Sequence, residues 1–137
     1  MKLERVKLEG VCLLVPTIYE DSRGYFFESF NQKRFNELAG LDLAFVQDNQ
    51  SKSQKNVVRG LHMQAGVHAQ DKLVRVIQGS IWDVVVDLRP DSKTYGEWYG
   101  VELSERNKRQ LYIPKGFAHG FRTLEEGTTI VYKCSEY

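Results

Sequence analysis

KLVRVIQGSIWDVVVDLR, Lys72 to Arg89, decides how the rest of the chain is read. Two runs rich in valine and isoleucine flank Gln78-Gly79-Ser80, a turn signal, and the segment reads as a β-hairpin. Strand side chains alternate between faces. Lys72, Val74 and Val76 therefore share one face of the first arm, and Asp83, Val85 and Asp87 share one face of the second. An acidic group on an inner face is costly unless paired, which makes Lys72 the natural partner of Asp83. The other reading has Asp83 facing water.

The same signals continue in both directions. Downstream, RPDSKTYG is a loop, EWYGVEL a strand, SERN a turn into KRQLYIP, and Pro114 to Gly120 an irregular loop. FRTL and TTIVYKC are expected to pair across EEG. Upstream, VCLLVPTIY begins as a strand and is broken by Pro16. DSRG, Asp21 to Gly24, is a turn cluster, and YFFESF alternates with Tyr25, Phe27 and Ser29 on one face. One helix stands out, capped by Asn31, apolar at Phe35 and Leu38, and ended by Gly40. Short strands separated by frequent turns give an all-β fold, an antiparallel sandwich or barrel with one short helix.

Composition narrows the function. A chain of 137 residues is one domain, residues 1–137. Its 19 basic and 18 acidic residues leave a net charge of +1, without the basic footprint of a nucleic-acid binder. Cys12 and Cys134 lack CxxC spacing and read as free thiols in a reducing compartment. The start, MKLERVKLEG, has no apolar signal core, and no run approaches the roughly 20 apolar residues of a membrane helix. A soluble cytoplasmic protein with no membrane partner is expected.

The chemistry concentrates in VVRGLHMQAGVHAQDK, Val57 to Lys72. Arg59 is an anion-binding cation, His62 exchanges a proton near neutral pH, and Lys72 can steady developing negative charge. His119 follows in PKGFAHGF and Tyr132 in IVYKCSEY. Such a set suits removal of a proton from a carbon beside a carbonyl and return of another. Strict alternation sends Arg59 and His62 to opposite faces, but a bulge at Gly60 would bring both inward. PKGFAHG resembles the second half of the cupin metal motif. The first half, His-x-His with a nearby Glu, reads His62-Met63-Gln64 here, and the next histidine is His68. No metal and no cofactor are therefore expected.

Eight segments together carry a closer resemblance: DSRGYFFESFN, FVQDNQSKS, VVRGLHMQ, AQDKLVRV, DVVVDLR, YGEWYGVELS, RQLYIPKGFAHGF and YKCSEY. In this order they resemble the dTDP-4-dehydrorhamnose 3,5-epimerase family across nearly the whole chain. The resemblance implies a metal-free, cupin-like jelly-roll barrel. It also implies a homodimer in which the segment around DSRGYFFES reaches toward the neighbouring active site. The implied substrate is a dTDP-linked 4-keto-6-deoxy sugar, inverted at C3 and C5 through an enolate. Alternatives are inversion at C3 alone, or a non-catalytic sugar-nucleotide-binding cupin.

Residue by residue, the resemblance makes His62 the base, Tyr132 the acid on the opposite face, and Lys72 the group near the C4 oxygen. Arg23, Arg59 and His119 match diphosphate- or sugar-binding positions. Glu28, Gln47, Asp48 and Asn49 match nucleotide- or substrate-contacting ones. The family pattern continues past YKCSEY into a section that supplies an aspartate orienting the base and a tyrosine stacking on thymine. The chain is accordingly expected to be a fragment, or a short form with weakened catalysis.

Overall fold

The structure, a computed structural model, describes residues 1–63 and 66–137; Gln64 and the side chain of His68 lie outside what it describes. In chain order the elements are β1 (Lys2–Arg5), β2 (Cys12–Val15), β3 (Tyr19–Asp21), β4 (Gly24–Phe26), α1 (Gln32–Ala39), β5 (Gln47–Ser53) and β6 (Val58–His62). They continue with β7 (Lys72–Gln78), β8 (Ser80–Asp87), β9 (Trp98–Ser104), β10 (Gln110–Ile113), β11 (Phe117–Thr123) and β12 (Thr128–Cys134). One sheet has the order β1-β2-β10-β7-β12-β5 and a second the order β6-β11-β8-β9, while among the described residues β3 and β4 pair only with each other. This is the expected all-β, cupin-like jelly roll, with one short α-helix among the described residues. No helix among the described residues is long and apolar enough to cross a membrane.

The alternating apolar pattern fills the space between the sheets. Leu13, Val74, Ile81, Val85, Leu103, Leu111 and Ile130 are buried there in one cluster. Deleting a side chain as large as Leu from such a core costs about 2–5 kcal/mol. A second cluster lies on the outer face of the larger sheet, where Phe35 and Ala39 of α1 pack with Cys12, Leu14, Leu73 and Tyr112. The helix has the predicted ends. The Asn31 side chain accepts from the Arg34 amide, and Gly40 closes the last turn in the left-handed region. Cys12 and Cys134 are free thiols, and both are buried.

Four local expectations are corrected, the first being the irregular loop from Pro114 to Gly120, because β11 already begins at Phe117. The arms of Lys72–Arg89 do not form a hairpin, because β7 pairs with β10 and β12 whereas β8 pairs with β9 and β11. The turn at Gly79 is a corner that carries the chain from one sheet to the other. Gly79 has φ +83°, and a Cβ there would stand 2.4 Å from Thr128 Oγ1. FRTL and TTIVYKC likewise fall in different sheets, since β11 pairs with β6 and β8, and β12 with β5 and β7. The YFFESF strand stops at Phe26, so its alternation does not run through to Phe30.

Candidate active site

Five strands bring their side chains to one cavity of about 260 Å³ between the sheets. It is lined by Ser51 from β5, Arg59 and His62 from β6, Lys72 and Val74 from β7, His119 and Phe121 from β11, and Ile130 and Tyr132 from β12. Strand parity explains the choice. Lys72 and Val74 alternate inward on β7, as do Ile130 and Tyr132 on β12. The opposite parity on β7 sends Leu73 to the outer cluster.

Gly60 reconciles Arg59 with His62. His119 is opposite His62 and Phe121 is opposite Arg59, so β6 spends one more residue than β11 between these pairs. That is a bulge, and it turns both side chains into the cavity. At Gly60, φ is +105°, and a Cβ would lie 2.6 Å from the His119 carbonyl oxygen and 2.7 Å from Gly120 Cα. Only glycine fits this crossing.

Each polar group in the cavity has an identifiable setting. Arg59 donates from Nε and Nη2 to Ser53 Oγ, both at 3.3 Å, which fixes the guanidinium and leaves other N–H groups for an anion. The Lys72 ammonium sits 5.8 Å from the centre of the Tyr132 ring. Burial pushes the Tyr132 phenol above its ordinary pKa, Cys134 adds to the rise, and the charge of Arg59 opposes it. Tyr132 therefore keeps its proton at neutral pH. His62 is exposed at the cavity's edge.

The expected Lys72–Asp83 partnership is not what forms. Asp83 is fully buried, and its Oδ1 lies 2.5 Å from His119 Nε2. Its Oδ2 is buried without a hydrogen-bond partner among the described residues. Parity did put Asp83 on the inner face, but β8 lies beside β11, and so the carboxylate reaches the histidine. Alternation along the strands puts Val74 with Lys72 and Ile130 with Tyr132, but sequence reasoning does not reach Ser51 or Phe121. Each is two residues from a chosen polar position on the same strand face, a spacing that would find them.

The remaining candidates lie elsewhere. Gln47 and Asn49 share the face of Ser51 on β5 without lining the cavity; Gln47 donates to Asn49 Oδ1 at 3.5 Å, and Asn49 donates to Cys134 Sγ at 3.7 Å. Asp48 points to the other face and pairs with Lys133 at 2.9 Å. Arg23 is at the tip of the β3–β4 hairpin, exposed and paired with Asp21 at 2.7 Å. Glu28 follows that hairpin and accepts from Asn31 Nδ2 at 3.4 Å. Neither Arg23 nor Glu28 reaches the cavity of its own chain. Among the described residues, no group of three or more His, Cys, Asp or Glu side chains is arranged to hold a metal ion.

Comparison with known proteins points the same way as the geometry. The chain is 54% identical over 133 residues to a dTDP-4-dehydrorhamnose 3,5-epimerase of Salmonella typhimurium, covering 97% of this chain and 73% of that protein. The crystal structure of dTDP-4-dehydrorhamnose 3,5-epimerase from Elizabethkingia anophelis matches with a TM-score of 0.95 and 53% identity, over 100% of this chain and 75% of that one. A dTDP-6-deoxy-D-glucose-3,5-epimerase from Legionella pneumophila, solved in complex with dTDP-4-keto-L-rhamnose, matches at 0.95 and 49% identity, over 99% of this chain and 72% of that one. With residues 5–137 also matching the family as a whole, the chain belongs to the dTDP-4-dehydrorhamnose 3,5-epimerase family.

Proposed function

We propose that this chain epimerises dTDP-4-keto-6-deoxy-glucose at C3 and C5, giving dTDP-4-keto-rhamnose, with His62 as base, Tyr132 as acid and Lys72 beside the C4 oxygen. The observation that carries this reading is the convergence of His62, Lys72, Tyr132, Arg59 and His119 in one cavity. The C4 carbonyl acidifies the protons on both neighbouring carbons. His62 takes one of them as the base. The electron pair moves to the C4 oxygen, where the Lys72 ammonium stabilises the enolate. Tyr132 then gives a proton to the opposite face of the same carbon, which inverts it. His62 then releases its proton to solvent and Tyr132 regains one from it, repetition at the second carbon completes the reaction, and no oxidant or cofactor is consumed.

Arg59 is assigned to the diphosphate, for which a fixed guanidinium gives paired hydrogen bonds. His119, held by Asp83, is assigned to the sugar. Arg23 and Glu28 fit a homodimer in which the β3–β4 hairpin serves a neighbouring cavity. That hairpin leaves Tyr19, Tyr25 and Phe26 between 59% and 69% exposed, a large apolar surface for a single chain. Gln47 and Asn49 are assigned to the substrate's outer end, and Asp48 to the same region by resemblance alone.

The test uses the 4-keto sugar nucleotide in heavy water. The protein should exchange hydrogen at both C3 and C5. His62→Ala should abolish both exchanges while leaving dTDP affinity within a few fold. Undiminished exchange in that variant would show that another group is the base.

A further inference from the structure

Asp71, the residue before Lys72, gathers three segments of the chain. Its Oδ1 accepts from the Tyr112 hydroxyl at 2.8 Å and from the Lys115 amide at 3.3 Å. Its Oδ2 accepts from Ser135 Oγ at 3.2 Å, and its own amide donates to the same hydroxyl at 2.9 Å. The Ser135 amide closes the group by donating to the Asp71 carbonyl at 3.0 Å. Tyr112 is buried, and burial first, then the Asp71 charge, pushes its phenol well above the ordinary range. Tyr112 is therefore a permanent donor to this carboxylate.

The position gives the cluster its meaning. β7 is flanked by β10 and β12, and Lys72 is the last residue paired on both sides, with Ile113 and with Cys134. Past that point one backbone bond remains, from the Ser135 amide to the Asp71 carbonyl, and the Asp71 carboxylate extends the tie to both sides with side-chain bonds. The segments it joins are those that carry the proposed chemistry. Lys72 is its neighbour, Tyr132 lies three residues before Ser135, and Lys115 begins the turn leading to His119.

We infer that Asp71 is a positioning residue for the epimerisation, holding the Lys72 backbone in register with the strand of Tyr132 and the turn before His119. The inference rests on the roles proposed for Lys72 and Tyr132. Its physical basis is local. Without the Asp71 side chain the two bonds its backbone makes with Ser135 remain, but the three its carboxylate makes with Tyr112, Lys115 and Ser135 Oγ are lost, and the origin of Lys72 is held less firmly. Displacement of a catalytic group by about 1 Å can cost on the order of 100-fold in rate.

The experiment is a double-mutant cycle on the whole chain, read as kcat and KM separately. Asp71→Ala should lower kcat by roughly 30-fold with KM within about threefold. Asp71→Asn keeps an acceptor for Tyr112 and Lys115, and should recover kcat to within about fivefold of the parent. Adding Asp71→Ala to Lys72→Met should slow turnover by less than about threefold beyond Lys72→Met alone, because the two act as one unit. Losses that multiply would overturn the inference and leave the role of Lys72 standing. Undiminished turnover in Lys72→Met would instead remove the role of Lys72, and the inference with it. If Asp71→Ala fails to fold, Ser135→Ala, which removes both hydroxyl bonds between Asp71 and the Tyr132 strand, runs the same cycle with the same outcomes.

Discussion

Asp83 Oδ1 and His119 Nε2 lie 2.5 Å apart across the β8–β11 pair, and the carboxylate is fully buried. A carboxylate acceptor favours the tautomer with the proton on Nε2 and fixes the plane of the ring. The pairing is expensive, because Oδ2 has no hydrogen-bond partner among the described residues. A buried, half-satisfied carboxylate costs stability that an apolar or neutral residue would not.

That cost separates function from folding. Asp83→Asn is expected to change the unfolding free energy by no more than about 1 kcal/mol, while kcat/KM falls at least about tenfold. Denaturant unfolding and steady-state kinetics on the same preparation measure both. A loss of more than about 2 kcal/mol with activity retained would make the pair a structural one.

Gly60 should tolerate no side chain. Gly60→Ala forces a Cβ against the backbone of His119 and Gly120 at a positive φ. Strain and overpacking together should cost on the order of 3 kcal/mol. Because the bulge turns both Arg59 and His62 inward, nucleotide affinity and exchange should fall together. A folded Gly60→Ala protein with normal affinity and exchange would show that the bulge is not what aligns them.

The loop after β8 should make stability sensitive to acid. Burial alone would raise the Asp87 carboxyl, but bonds from Arg89, Ser92 and Thr94 outweigh it and hold the group well below the usual carboxylate range. Arg89 contributes Nε at 3.0 Å and Nη2 at 2.9 Å. A lowered folded-state pKa gives stability that is present above the unfolded value of about 3.9 and is lost as pH falls toward the folded one. The gap in unfolding free energy between the parent and Asp87→Asn, on the order of 2–3 kcal/mol, should hold above about pH 5 and shrink below about pH 4. A gap unchanged from pH 6 to pH 3 would mean that the carboxylate's charge is not what stabilises the loop.

What the sequence disclosed was what local chemistry determines. Asn31 and Gly40 bound the helix because caps act within one turn. The face of Lys72, Val74 and Val76 followed from alternation, and the inward turn of Arg59 and His62 from the glycine between them. Pairing was not legible. A short turn at Gly79 serves a hairpin or a corner between sheets equally well, and the choice depends on β10 and β12, far away in sequence. The partner of Asp83 was misread for the same reason, since only the neighbourhood of β8 and β11 puts His119 within its reach. Arg23 and Glu28 were matched by resemblance, and the single chain leaves both outside the cavity.

Tyr132→Phe in heavy water puts the opposed acid and base to trial. Removing only the phenolic hydroxyl should leave hydrogen exchange at C3 and C5 measurable, because His62 can still take a proton and return deuterium to the face it came from. Inversion should fall by at least about 100-fold, within the range that a general acid contributes. The expected result is deuterium in recovered substrate of unchanged configuration. Exchange and inversion lost in equal measure would contradict an acid placed across the sugar from His62.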